Sequence, residues 1–131
     1  MAVLSYDKTD EYFYRDSRKE LFGGATNLEL TPRELVLTDS LLQQSVAAWN
    51  RYQRQHGYTG PLLNSKGYKR QLIAVIDTAG EKRVWINGFC GADGSGWKKR
   101  IIQVWDGGIC YFNVKLNLSR KTWEELDVNN E

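Results

Sequence analysis

Two cysteines, Cys90 and Cys110, and one histidine, His56, are the side chains of this 131-residue chain best suited to act as nucleophile, base or metal ligand. A thiol nucleophile needs a histidine beside it to take its proton. His56 falls at the end of a helical pattern, and nothing in the sequence carries it to either cysteine. Two cysteines and one histidine without clustered spacing do not make a zinc site. No catalytic residue, metal or cofactor is therefore expected. In a simple meander Cys90 ends one strand and Cys110 starts a later one, at opposite ends of the strand between them. At a rise of ~3.3 Å per residue, about five residues put the sulfurs roughly 15 Å apart. A disulfide needs Cα atoms within about 7 Å. Two free thiols are expected; a bridge would mean a different strand order and an oxidising compartment.

Other candidate motifs lead to blander readings. Gly91-Ala92-Asp93-Gly94-Ser95-Gly96 is glycine-rich, but no Gly-Lys-Ser/Thr ending follows it and the next element reads as a strand. A phosphate cradle needs a helix N-terminus there. Asp93 is its one carboxylate, too few for calcium. Lys98-Lys99-Arg100 beside Trp97, Trp105 and Tyr111 has the makings of a single-strand nucleic-acid surface. With 18 basic and 16 acidic residues the chain carries only +2, so nucleic acid is not the expected partner. Lysines on a strand edge discourage edge-to-edge pairing and explain the run as well. Glu124, Glu125 and Asp127, near Arg120 and Lys121, read as surface charge balance.

Hydrophobic content of 41% and charged content of 26% are those of an ordinary globular domain, and the length suits one, spanning 1–131. No apolar run is long enough to cross a membrane as a helix. The start, MAVLSYDKTDEYFYRDS, has no signal-length apolar segment. That fits a cytoplasmic protein if Met1 is the native start, and a periplasmic or secreted one if a leader has been removed.

These residues must be positioned by one helix and a set of strands. Residues 1–30 read as irregular, with a short helix across Arg15 to Phe22. Thr31-Pro32-Arg33-Glu34 is a capping box with proline at the first helical position, and Thr38-Asp39 offers a second start. Leu41, Leu42, Val46, Ala48, Trp49 and Tyr52 form one apolar stripe, and His56-Gly57 closes the helix. Strands follow at Tyr68–Asp77, Lys82–Cys90, Arg100–Trp105, Ile109–Leu118 and Thr122–Val128. The pair around Asp106-Gly107-Gly108 reads as a hairpin, because Asp-Gly suits the positive φ of a tight turn. The expected architecture is α+β: the helix over 31–56 packed on an antiparallel meander of about five strands over 68–129, a layout shared with cystatin-like and NTF2-like folds.

Period-two alternation sorts the strands into two faces. Val84, Ile86, Ile102, Val104, Phe112, Val114 and Leu116 should meet the helix. The opposite face carries Trp85, Asn87, Phe89, Ile101, Gln103, Trp105, Tyr111, Asn113 and Lys115. Mixed rings and amides mark a binding surface, so Trp85, Asn87, Phe89, Gln103, Trp105, Tyr111, Asn113 and Lys115 are the candidate site. The competing reading is that the N-terminal thirty residues cover it.

Val84-Trp85-Ile86-Asn87, Phe89-Cys90, Asp106-Gly107-Gly108 and Cys110-Tyr111-Phe112-Asn113-Val114-Lys115 with Asn117-Leu118 resemble segments of small uncharacterised bacterial α+β proteins, some secreted or lipid-anchored. The resemblance covers Tyr68 to Asn129 and implies no activity. The expected function is a non-enzymatic module, inhibitor- or immunity-like, that binds a protein partner or a second copy of itself. The alternative is an NTF2-like domain with a small-molecule or enzymatic pocket between helix and sheet.

Overall fold

The computed structural model describes residues 1–6, 24–64, 68–90, 110–124 and 126–128. Its elements are β1 (Ala2–Leu4), β2 (Thr26–Asn27), α1 (Pro32–Gln55), β3 (Lys69–Ile76), β4 (Lys82–Phe89), β5 (Tyr111–Asn117), β6 (Thr122–Trp123) and β7 (Asp127–Val128). The fold is α+β, with one helix on a mixed, mostly antiparallel sheet among the described residues.

The helix starts where its cap is. The Thr31 hydroxyl accepts the Glu34 amide at 3.1 Å, and the Glu34 carboxylate accepts the Thr31 amide at 2.9 Å. Each satisfies a donor the helix cannot. The second start at Thr38 goes unused: its hydroxyl donates to the Glu34 carbonyl at 2.7 Å, a bond made inside a continuing helix. Gly57, at φ +85°, supplies the left-handed residue that ends α1. Leu41, Leu42 and Val46 are buried as the stripe requires. Tyr52 is not; it lies 56% exposed and stacks on His56 with ring centroids 3.9 Å apart. The expected stripe therefore ends before Tyr52, with Trp49 the last of its members packed against the core.

Two ion pairs fix the helix over the sheet, Arg70 to Asp39 at 2.7 Å and Lys82 to Glu34 at 2.8 Å. The Asn50 side chain donates to the Leu63 carbonyl at 2.9 Å and accepts the Leu63 amide at 3.0 Å. That ties the loop after α1 back onto the helix and seats Leu63 in the core.

The sheet runs β1-β3-β4-β5-β6, with β2 also on β3 and β7 also on β5. The meander order is corrected here: β4 pairs directly with β5, from Arg83 opposite Asn117 to Phe89 opposite Tyr111. Nothing stands between them, so Cys90 and Cys110 face each other with Cα atoms 5.0 Å apart and form a disulfide. The expected free thiols are overturned for the same reason. A glycine suits this register. Gly88 lies opposite Phe112, and the Phe112 ring occupies the space a side chain at 88 would need.

Two further expectations change. Part of the first thirty residues is strand: β1 runs parallel to β3, and β2 antiparallel to it. The last strand is two short pieces, β6 and β7, each on β5. The helix proposed over 15–22, the strand over 100–105 with its Asp-Gly-Gly turn, and Ile102 and Val104 lie outside the described residues.

The core fills the layer between helix and sheet. Leu41, Leu42 and Val46 pack with Leu72, Ala74, Val84, Ile86, Phe112, Val114 and Leu116. Tyr68 meets Phe112 edge-on at 5.1 Å.

Gly88→Ala should lower stability by about 1–3 kcal/mol, the usual cost of overpacking a filled core, and a lowered urea midpoint with unchanged m-value would record it. The hydrogen bond from Lys82, then the Thr31 amide, holds the Glu34 carboxyl below its ordinary value of 4.5. A carboxyl depressed on folding stabilises the fold fully above its unfolded pKa, and the contribution is lost as pH falls through the lower folded value. Glu34→Gln should therefore flatten the stability–pH curve below about pH 4.5, as read by urea melts across an acid series.

Candidate binding surface on the second sheet face

The face turned away from α1 follows from strand register. One row crosses the sheet as Ala2, Gln71, Asn87, Asn113 and Asp127, each opposite the next on β1, β3, β4, β5 and β7. The row on one side is Leu4, Ile73, Trp85 and Lys115; on the other are Lys69, Phe89 and Tyr111. Residues opposite each other on one face lie close enough to interact directly.

Burial changes along this face. On β3 and β4 it is closed: Gln71 and Phe89 are 0% exposed, Trp85 6% and Asn87 7%. Leu4, Tyr6, Ile73, Val75 and Trp85 form one buried cluster, and Ala2 packs with Phe89, joined by the half-buried Tyr111. The start of the chain thus extends this face beside β3: Ala2 and Leu4 join it in register and Tyr6 packs into the same cluster, while residues 7–23 lie outside the described residues. The Tyr6 amide donates to Asn27 Oδ1 at 2.8 Å, which holds the strand end against β2. On β5 the same face is half-open at Tyr111, Asn113 and Lys115, and Asp127 beyond it is exposed.

The amide row therefore passes from core to solvent. Asn87 Nδ2 donates to Gln71 Oε1 at 3.1 Å in its buried part. Buried amides are tolerated where hydrogen bonds replace those to water. The pair holds both amides in register under the sheet's second face.

A charged margin closes one side. Arg83 pairs with Glu124 and lies 3.9 Å from Asp77. Lys115 reaches Glu124 at 3.8 Å. Further along, Glu81 accepts from Arg120 at 2.6 Å and from Asn117 at 3.2 Å. The Arg120 bond, then the Asn117 bond, holds the Glu81 carboxyl below the usual range. Glu124 thus belongs to an ion-pair network, the structural use the sequence suggested for it.

Of the eight candidate residues, the structure brings together Trp85, Asn87, Phe89, Tyr111, Asn113 and Lys115 on one face. Gln103 and Trp105 lie outside the described residues. Sequence reasoning missed Gln71, because it follows Lys69 and Arg70 at the polar start of β3, and missed Ala2, Leu4 and Tyr6, because a strand of three residues carries almost no periodicity. His56 stands exposed at the far end of α1, its Nδ1 2.8 Å from the Tyr52 carbonyl. Among the described residues no three His, Cys, Asp or Glu side chains gather as a metal site, and no helix is long and apolar enough to cross a membrane. Comparison with protein-family models, curated proteins and solved structures finds no match to this chain.

Asn87→Ala removes the donor to Gln71 from a closed environment and should cost about 1–3 kcal/mol. Equilibrium denaturation measures it, and a cost near zero would mean that the pair is not held as described.

Proposed function

We propose that this chain is a non-enzymatic binding module that recognises a protein partner through the half-open part of the second sheet face. Tyr111, Asn113 and Lys115 on β5 would make the contact, with Asp127 at its margin. The observation that carries this reading is the outward passage of the polar row, from buried Gln71 and Asn87 to half-open Asn113 and exposed Asp127. A ring, an amide and an ammonium at alternate positions of one strand offer apolar area, two-way hydrogen bonding and charge side by side, the mixture that protein recognition surfaces use. Trp85, Asn87 and Phe89 would act from beneath. Being buried, they set the positions of their β5 neighbours and do not themselves touch a partner. An inhibitor-like role fits such a surface and rests on analogy with other small rigid domains.

A second reading draws on a different observation. Gln71 and Asn87 hydrogen-bond to each other in the closed part of the face, in the row beside Trp85, and a few polar groups among apolar ones are what a small-molecule site needs. This is the NTF2-like alternative, moved to the face away from the helix.

The test is a pulldown from native lysate, followed by light scattering of the complex. Tyr111→Ala/Lys115→Glu alters partly exposed groups and should keep the circular dichroism of the wild type while losing a stoichiometric protein partner. Retention of the partner by this variant would overturn the surface assignment. Trp85→Ala is unsuitable, because truncating a buried tryptophan costs about 3–5 kcal/mol and confounds binding with unfolding. A thermal shift by small metabolites, without any protein partner, would favour the second reading.

A further inference from the structure

The Cys90–Cys110 bridge stands one pair beyond the Phe89–Tyr111 end of the β4–β5 ladder, where the Cys90 amide still donates to the Cys110 carbonyl at 2.9 Å. Neither cysteine belongs to a core cluster, and both are half-buried. Inward from the bridge, seven consecutive residue pairs join β4 to β5, and their helix-side members Val84, Ile86, Phe112, Val114 and Leu116 are closed off by α1. The ladder and the core thus have their own support. What the bridge adds is a covalent closure at the ladder's end, joining residues 20 apart in sequence.

From this placement we propose that the bridge is a reducible clamp, opened by an external dithiol in the folded protein while the sheet stays intact. A thiolate of the reductant attacks one bridge sulfur, forming a mixed disulfide and releasing the other cysteine as a thiolate, which takes up a proton. The reductant's second thiolate then displaces the remaining cysteine, which is protonated in turn. Two electrons and two protons pass to Cys90 and Cys110, and the reductant leaves as its own disulfide. The closing direction needs a disulfide oxidant and reverses the same steps. Access to sulfur is the requirement; both cysteines are half-buried, and a closed core position would shut the reductant out.

The experiment treats the oxidised full chain with rising concentrations of dithiothreitol, traps thiols with iodoacetamide for intact mass, and follows amide hydrogen exchange on the same samples. Reduction should rise in proportion to reductant. Amides of Leu72–Val75, Val84–Ile86 and Val114–Leu116 should stay within about threefold of their oxidised exchange rates, while those at Phe89, Cys90 and Tyr111 should exchange at least about tenfold faster, as local opening predicts. A rate that levels off at the global unfolding rate, loss of sheet protection together with thiol release, or a bridge that yields only in denaturant would each overturn the proposal. Cys90→Ala/Cys110→Ala reaches the open state without reductant. It should show the same exchange pattern, and its unfolding would also count against the clamp.

Discussion

Direct pairing of β4 with β5 is the constraint on which the rest of this structure depends. It sets Val84 and Ile86 beside Val114 and Leu116, which gives α1 a continuous apolar floor. It aligns Trp85, Asn87 and Phe89 with Lys115, Asn113 and Tyr111 on the other side. It also leaves Cys90 and Cys110 no distance to bridge. One close fit favours this register: the Phe112 ring lies over Gly88, the residue of β4 with no side chain. Slipping the strands by one residue would turn every side chain of β5 to the wrong face and set a larger residue against that ring.

The two faces of the sheet are built on different terms. The helix side is mostly apolar and held chiefly by burial, with two ion pairs at its margins that fix the helix direction more than they stabilise it. The other side carries amides across its middle. Buried amides add little net stability even when bonded, and a row of valines would serve a core as well. Their continuation onto half-open Asn113 and exposed Asp127 gives the row a direction, from the core toward solvent. The recognition role proposed for β5 uses that direction, with the closed part of the row as a rigid support.

The clamp belongs to the same scheme. The bridge acts one pair beyond the Phe89–Tyr111 pair of the β4–β5 ladder, outside the core clusters of the described residues. Stability inside the sheet and constraint at its end come from separate sources, so one can change without the other.

Local rules made α1 legible from the sequence. Its cap, its proline and its closing glycine are short-range chemistry, and they act the same in any surroundings. β4 and β5 were legible in the same way, since alternation is a property of the strand itself: Val84, Ile86, Phe112, Val114 and Leu116 separate from Trp85, Asn87, Phe89, Tyr111, Asn113 and Lys115 without knowledge of partners. Which strand lies beside which was not legible. Pairing is non-local, and a meander is only the default that short connections make common. The disulfide followed from that choice, and the pairing of β1 with β3, which brings Leu4 and Tyr6 into one cluster with Trp85 and Ala2 to Phe89, is non-local in the same way. Tyr52 left the expected core because which turns of a helix are covered is decided by other segments. The sequence by itself determined α1, the strands β3, β4 and β5 and the two faces of β4 and β5; tertiary structure alone decided the short strands β1 and β2, the neighbours, the bridge and which part of the aromatic face stays open, because those depend on residues far apart in the chain meeting in one register.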